Sequence, residues 1–441
     1  MPAAMHRRYC TPLAPSTNRP RVRYRASTMT TGDGWEAEQL EEKLARRVRG
    51  GFGAFWVAGG RQEPPPVPPI ALTGGIPDPD TLPIEELIET SNTVLRREGP
   101  DALRYGGHQG HPGLREWLAQ HLNRQEGLSV TGDNFTITNG ISGGLINVSL
   151  SFLDEGDVGL VEAPSFPGGA GAMQSCMGEV VGVATDEDGL IPEALEETVE
   201  RLEGEGRRVK LLYTIDNFHN PTGATLTLDR RRAVVEICQR HGVLIVEDDA
   251  YGDIRIEGER LPSLYALAGG RGAVFLGTFS KTMATGLRVG WVMADEPVID
   301  ALLRTRFDLG VSPWLQRTIA EFTSTGMWER HVAKVIDVYR SKRDVMLAAL
   351  DERCSRYAHW SRPEGGFFLW LTLAETVDPT ALRDAARQLG VSYVHGGAFY
   401  MDGEGKDRVR LAYSYVREQE IPEAIQRLGR ALEQAAQGVL A

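Results

Sequence analysis

Seven short runs of apolar and β-branched residues recur between residues 135 and 294, and they limit the fold more than any other feature of the chain. They are FTIT (135–138), DVGLVEAP (157–164), EVVGVA (179–184), VKLLYTI (209–215), VLIVEDD (243–249), AVFLGTF (273–279) and RVGWVMA (288–294). Helical stretches at 191–204 and 229–241 lie between some of them. Strands that alternate with helices predict an α/β fold, in which a mostly parallel sheet is sandwiched by helices. After Pro313 the pattern changes to a long helical region over about 314–352, then FFLWLTL, a helix near 379–389, VSYVHGG, RVRLAYS and a last helix from about 420. That α+β ending predicts a second, smaller domain. The expected division is a large domain at 91–312 and a small domain at 313–441, to which a segment at 33–90 contributes.

The chain before the first strand reads differently. Residues 35–50 (WEAEQLEEKLARRVRG) predict a short charged helix, and the Gly- and Pro-rich passage that follows predicts an ordered loop or linker. Residues 1–32 contain six arginines and no Asp or Glu, without the apolar core of a secretory signal. Such a composition fits an organellar transit peptide or a start codon placed ahead of Met29. Usage rich in Ala, Gly, Arg and Asp favours the second, and the segment is expected to be disordered and outside the chemistry. A net charge of −12 argues against a nucleic-acid partner, and no apolar run approaches the ~20 residues of a membrane span. Cys10, Cys176, Cys238 and Cys354 show no metal-ligand or C-x-x-C spacing, which points to thiols in a reducing, cytoplasmic compartment.

Polar residues collect at the carboxyl ends of the predicted strands, where open α/β sheets place their ligands. VLIVEDDAYGDI (243–254) brings Asp248, Asp249 and Tyr251; taken alone, the acids could also be a metal site or a helix N-cap. DNFHNPTGATL (216–226) puts Asn220 at another strand end, although Asn-Pro-Thr-Gly also makes an ordinary turn. ITNGISGGL (137–145) is a strand, a Gly-rich turn and an apolar helix, whose first N–H groups with Ser142 could hold a phosphate. FLGTFSKTMATGLRVGW (275–291) adds Thr278, Ser280, Lys281 and Arg288. Two hydroxyls and a guanidinium, with Ser142, make a phosphate cradle and leave Lys281 for other work. A lysine whose pKa is lowered by burial and a cationic neighbour can form a Schiff base, and a carboxylate such as Asp248 is what a pyridinium nitrogen requires.

In these motifs the chain resembles the class I/II aminotransferases, the fold-type I enzymes that use pyridoxal 5′-phosphate. It is most similar to the subgroup of 2-aminoadipate and kynurenine aminotransferases. The matching segments run in the family's order from about residue 70 to 415: GGIPDPDTLP, LRYGGHQGHPGLREWL, ITNGISGGL, LDEGDVGLVEAPSF, NPTG, VEDDAY, SKTMATGLRVGW, EGGFFLW and RVRLAYS. The resemblance implies that Lys281 binds the cofactor covalently and then moves the α-proton as general base and acid. It implies that Asp248 pairs with the pyridinium nitrogen, that Tyr251 and Asn220 hydrogen-bond the phenolic oxygen, and that Phe166 stacks on the ring. Ser142, Gly143, Thr278, Ser280 and Arg288 would hold the phosphate. Tyr105 would reach the phosphate of a neighbouring subunit, making the active unit a homodimer. Arg410 would hold the substrate α-carboxylate, in preference to Arg408, with the Gly75 backbone beside it.

Three positions depart from the family pattern: Phe166 for the usual Tyr, His219 for Gln before NPTG, and Ile141-Ser142-Gly143 for Ser-Gln-Gln. The implied activity is transfer of the amino group of an L-amino acid to a 2-oxo acid with ping-pong kinetics. Elimination, decarboxylation, cyclisation or oxidation of an amino acid on the same scaffold is the alternative. A cofactor-sensing regulator would need a DNA-binding domain of ~70 residues, for which the part expected to fold ahead of GGIPDPD is too short and too rich in Pro and Gly. Phe55 and Trp56 are candidates for the substrate entrance, and Phe367, Phe368 and Trp370 read as core.

Overall fold

The computed structural model describes residues 67–437. The extension at 1–32, the expected helix at 35–50 and the pair Phe55 and Trp56 lie outside the described residues.

The seven runs all form strands. They are β1 (Phe135–Thr138), β2 (Val158–Ala163), β3 (Glu179–Asp186), β5 (Val209–Thr214), β6 (Leu244–Asp248), β7 (Ala273–Thr278) and β8 (Gly290–Met293), joined by the two-residue β4 (Gly189–Leu190). The sheet order is β1-β8-β7-β6-β5-β2-β3-β4. Pairing is parallel from β7 across β6, β5 and β2 to β3. β8 runs antiparallel to both its neighbours, so β1 and β7 point the same way. β4 closes a hairpin on β3.

Burial on both faces explains the apolar runs. In β7, Ala273 and Phe275 belong to one core and Val274 and Leu276 to the other, the period of two expected of a pleated strand. One core is covered by helices including Pro112–Glu126, Pro192–Gly204 and Leu228–His241. The other lies beneath Gly140–Phe152, Pro167–Ser175 and Glu296–Arg304.

A third core packs around a four-stranded antiparallel sheet of β9 (Ala358–Trp360), β10 (Phe368–Leu373), β11 (Val394–His395) and β12 (Arg408–Ala412), in the order β9-β10-β12-β11. Helices Pro379–Leu389 and Ile421–Gln437 flank it. Ile70–Ala71 pairs in parallel with Val391–Ser392, and Leu72 enters this third core. The helical region after Pro313 is two helices, Pro313–Ser324 and Met327–Arg353. Gly326 separates them with φ +71°, a left-handed turn that glycine adopts without strain and that no helical periodicity announces.

Because β1, β2, β5, β6 and β7 are mutually parallel, their carboxyl ends open on one edge, where β8 begins. That edge faces the third core across a cleft.

Candidate active site

A cavity of about 420 Å³ lies in this cleft, within the usual size of a small-molecule site. Its lining includes Gly75, Ser142, Phe166, Asn220, Asp248, Tyr251, Thr278, Ser280, Lys281, Arg288 and Arg410. One expected residue does not line it: Gly143 sits one step further into its helix. Tyr105, expected at a neighbouring subunit's site, is 88% exposed on a surface loop.

Most of these residues follow strand ends, while Arg410 lies within β12. β7 ends at Thr278, and the chain turns at once through Ser280 and Lys281. The turn is held by its own hydroxyls: Thr278 Oγ1 accepts from the Ser280 amide at 3.1 Å and lies 2.9 Å from Ser280 Oγ. Lys281 Nζ donates to the Gly75 carbonyl at 2.7 Å, a contact spanning 206 residues of sequence. Gly75 therefore touches the lysine through its carbonyl. Burial lowers the Lys281 ammonium to about 8; Asp248 opposes the shift, while the Arg410 and Arg288 charges add to it.

Asp248 closes β6. Its Oδ2 accepts from the Tyr213 hydroxyl at 2.7 Å, while its buried Oδ1 has no hydrogen-bond partner. Burial raises this carboxyl to about 6, against the pull of the Tyr213 hydrogen bond and the Lys281 charge. Asp249 turns the other way, accepting from Asn217 at 3.1 Å and pairing with Arg260 at 3.5 Å. The two adjacent acids thus serve different layers, as successive residues at a strand end must. Burial also raises the Tyr251 phenol, keeping it a donor.

At the opposite wall, Arg410 of β12 donates to Asn220 Oδ1 at 2.8 Å and to the Thr73 carbonyl at 2.9 Å. Its guanidinium carbon stands 4.3 Å from the Phe368 ring centre and 4.9 Å from that of Phe399. Its buried Nε has no partner. Arg408, the rival of the same strand, bonds Thr372 Oγ1 and lines a separate groove.

The residues fit pyridoxal 5′-phosphate. An unpartnered Asp248 oxygen answers a protonated ring nitrogen, and the amine of Lys281 answers an aldehyde. Thr278, Ser280, Arg288 and the start of helix Gly140–Phe152 answer a phosphate. Room for Arg288 is built in: Gly140 has φ +64°, and a Cβ there would come within 2.9 Å of Arg288 Nη2. His219, one of the departures, is buried 3.0 Å from Glu162 and 2.9 Å from Thr222 Oγ1, behind the cavity wall.

Two features were not expected from the motifs. Phe368 is core, as its run predicts, but it also lines the cavity beneath Arg410. Tyr213 was missed altogether. The signal was present in VKLLYTI, where a phenol occupies a strand position otherwise filled by Leu and Ile on the same face.

The family model described as "Aminotransferase class I and II" matches residues 69–428. The chain is 34% identical over 367 residues to aromatic-amino-acid aminotransferase 1 of Thermococcus litoralis, covering 83% of this chain and 88% of the relative. It is 34% identical over 369 residues to the 2-aminoadipate transaminase of Thermus thermophilus, covering 82% and 90%. The crystal structure of a multiple substrate aminotransferase from Thermococcus profundus superposes with a TM-score of 0.81 at 30% identity, covering 92% of this chain and 98% of that one. The chain therefore belongs to the class I and II aminotransferases, the enzymes that pass an amino group from an amino acid to a 2-oxo acid with pyridoxal 5′-phosphate.

Proposed function

We propose that the cavity is the transamination site and that its residues divide the work as follows. When bound, the cofactor supplies an electron sink that acidifies the Cα–H bond of an attached amino acid. Lys281 would hold the resting cofactor through Nζ and, once released, would take the Cα proton and deliver it to C4′ of the cofactor. Its lowered pKa keeps a useful fraction of neutral amine near pH 8. Asp248 Oδ1 accepts the ring N–H. Tyr251 and Asn220 would hydrogen-bond the phenolic oxygen, and Phe166 would stack on the ring. Ser142, Thr278, Ser280 and Arg288 would anchor the phosphate, without the expected Gly143 amide, which donates to the Asn139 carbonyl at 3.3 Å instead. Arg410 orients the substrate by its α-carboxylate, beside the backbone of Gly75.

The observation that carries this reading is one cavity lined by an amine, Lys281, a guanidinium with an open Nε, Arg410, and an unpartnered carboxylate oxygen on Asp248. The active unit is a homodimer in a cytoplasmic setting. The expected division near residue 312 does not match the packing, since Ile319, Phe322, Trp328 and Val332 belong to the core of the large sheet. Leu103 and Tyr105 are exposed on one loop, Phe307 and Leu309 on another. The two loops abut, with Arg306 Nη1 donating to the His108 carbonyl at 2.7 Å. An apolar patch of this kind supports a subunit contact that includes Tyr105. No helix among the described residues is long and apolar enough to cross a membrane.

Lys281→Ala tests the reading directly. Mixed with individual amino acids, the reconstituted parent should convert its bound cofactor spectrum to that of the amine form. The variant should lose the protein-bound visible band and the half-reaction together, by at least about 10⁴-fold. Turnover retained in the variant would remove Lys281 from the mechanism.

A further inference from the structure

Tyr213 has no part in the roles assigned above, yet it is fully buried near the end of β5. Its ring belongs to a layer with Val161, Met173, Leu211, Ile215 and Val246, so its hydroxyl is a polar group carried into apolar surroundings. That hydroxyl donates to Asp248 Oδ2 at 2.7 Å. The slot for the ring is specific. A Cβ at Gly169, in helix Pro167–Ser175, would collide with the Tyr213 ring carbons, and a flat ring cannot fold away. Register sets the reach, because Tyr213 stands opposite Val246 in the parallel pair, two residues before Asp248. The two carboxylate oxygens are thereby sorted. Oδ2 is engaged behind the cavity, and Oδ1 is left without a protein partner on a residue that lines it.

We infer that Tyr213 is a positioning residue for the cofactor ring: its phenol fixes the Asp248 carboxylate in one orientation and favours its charged form, so that Oδ1 is presented to the ring nitrogen. The inference rests on the reading that Asp248 meets that nitrogen. The electrostatics run the same way. Burial pushes Asp248 up, and the Tyr213 hydrogen bond is the largest influence pulling it back. Burial and the Asp248 charge carry the Tyr213 phenol well above its ordinary value, so it remains a donor. Deleting the hydroxyl removes a force that favours the anion. The folded carboxyl pKa then rises, and the charged fraction at a given acid pH falls.

The test uses the reconstituted enzyme with Tyr213→Phe, alone and combined with Asp248→Asn. Tyr213→Phe should move the acid limb of the kcat/KM profile to higher pH by about one unit and weaken cofactor binding about tenfold. A purely structural role would not move the limb. In the Asp248→Asn background the same substitution should change cofactor affinity by less than about twofold, since Tyr213 then has no carboxylate to act through. An unmoved limb with unchanged affinity, or an equal loss in both backgrounds, overturns the inference. If Asp248→Asn itself leaves cofactor affinity and the bound spectrum unchanged, the reading of Asp248 falls instead. Replacing Tyr213 with 3-fluorotyrosine guards against misfolding, because ring and hydroxyl both stay and the donor becomes stronger. The acid limb should then move to lower pH, and a limb that stays in place or rises counts against the inference.

Discussion

Two arginines face the same cavity in opposite circumstances. Arg288 stands just before β8 in left-handed backbone, φ 52°, with an exposed side chain that donates to the Asn139 carbonyl at 3.2 Å. Arg410 lies within β12, only 8% exposed, against the rings of Phe368 and Phe399 and bonded to Asn220 and Thr73. Burial lowers the Arg410 guanidinium to about 10. An exposed guanidinium sheds water as its anion arrives, and here it shares that anion with hydroxyls and backbone N–H groups. A guanidinium already stripped of water gains more from its anion and is stricter about geometry. In the proposed site the phosphate end would therefore spread its load over several groups, while the carboxylate end would concentrate its load in one.

The largest break in this contrast should come from Arg410→Lys. The ammonium keeps the charge but loses the planar fork and its stacking on two rings. Losing charge-assisted hydrogen bonds of this kind costs about 2–3 kcal/mol, or roughly 30- to 150-fold in kcat/KM. Cofactor affinity should stay within about twofold of the parent, because the group proposed for Arg410 is the substrate α-carboxylate. Steady-state kinetics with an amino donor, together with cofactor titration, check both halves. A loss of cofactor affinity as large as the loss in kcat/KM would place Arg410 at the wrong end of the cavity.

Arg288→Ala should be milder and of the other kind. It removes one charged donor from a shared cradle, so cofactor dissociation should rise about tenfold. At saturating cofactor, kcat should stay within about threefold of the parent, since Arg288 touches no reacting atom. A fall in kcat beyond that at full occupancy would mean that Arg288 does more than anchor.

What could be read from the sequence follows the same division between local and distant. Thr278, Ser280, Lys281 and Arg288 lie within eleven residues, and their turn is built from its own hydroxyls, so a short motif carries the phosphate end almost whole. Most of the strands were legible because they are buried on both faces and so read as continuous apolar runs, β3 with its largely exposed residues excepted. The carboxylate end depends on pairings that no local pattern encodes. Arg410 meets Asn220 across 190 residues and Thr73 across 337, and Lys281 reaches Gly75 across 206. Tyr213 escaped for the same reason, since its partner Asp248 is set by the register of two parallel strands. Phe368 reads as core because it is core, and only the pairing of β10 with β12 brings its ring face against Arg410. Asp248 and Asp249 were ambiguous for a physical reason: one carboxylate facing the cavity and one facing a buried salt-bridge layer look alike in sequence.

Ionic strength offers the smallest effect and the finest distinction. Raising salt from 0.05 to 0.5 M shortens the Debye length from roughly 14 Å to about 4 Å, which screens exposed charges far more than buried ones. Cofactor affinity, resting in part on exposed Arg288, should therefore weaken severalfold. The KM for an amino donor should change by less than about twofold, because Arg410, the proposed carboxylate partner, is buried and so little screened. Equal salt slopes for the two ligands would mean that the cleft stays open to water while substrate is bound. In that case the desolvation of Arg410 in the free protein would not be what sets its grip on the carboxylate, and the contrast between the two arginines would reduce to the number of hydrogen bonds each can make.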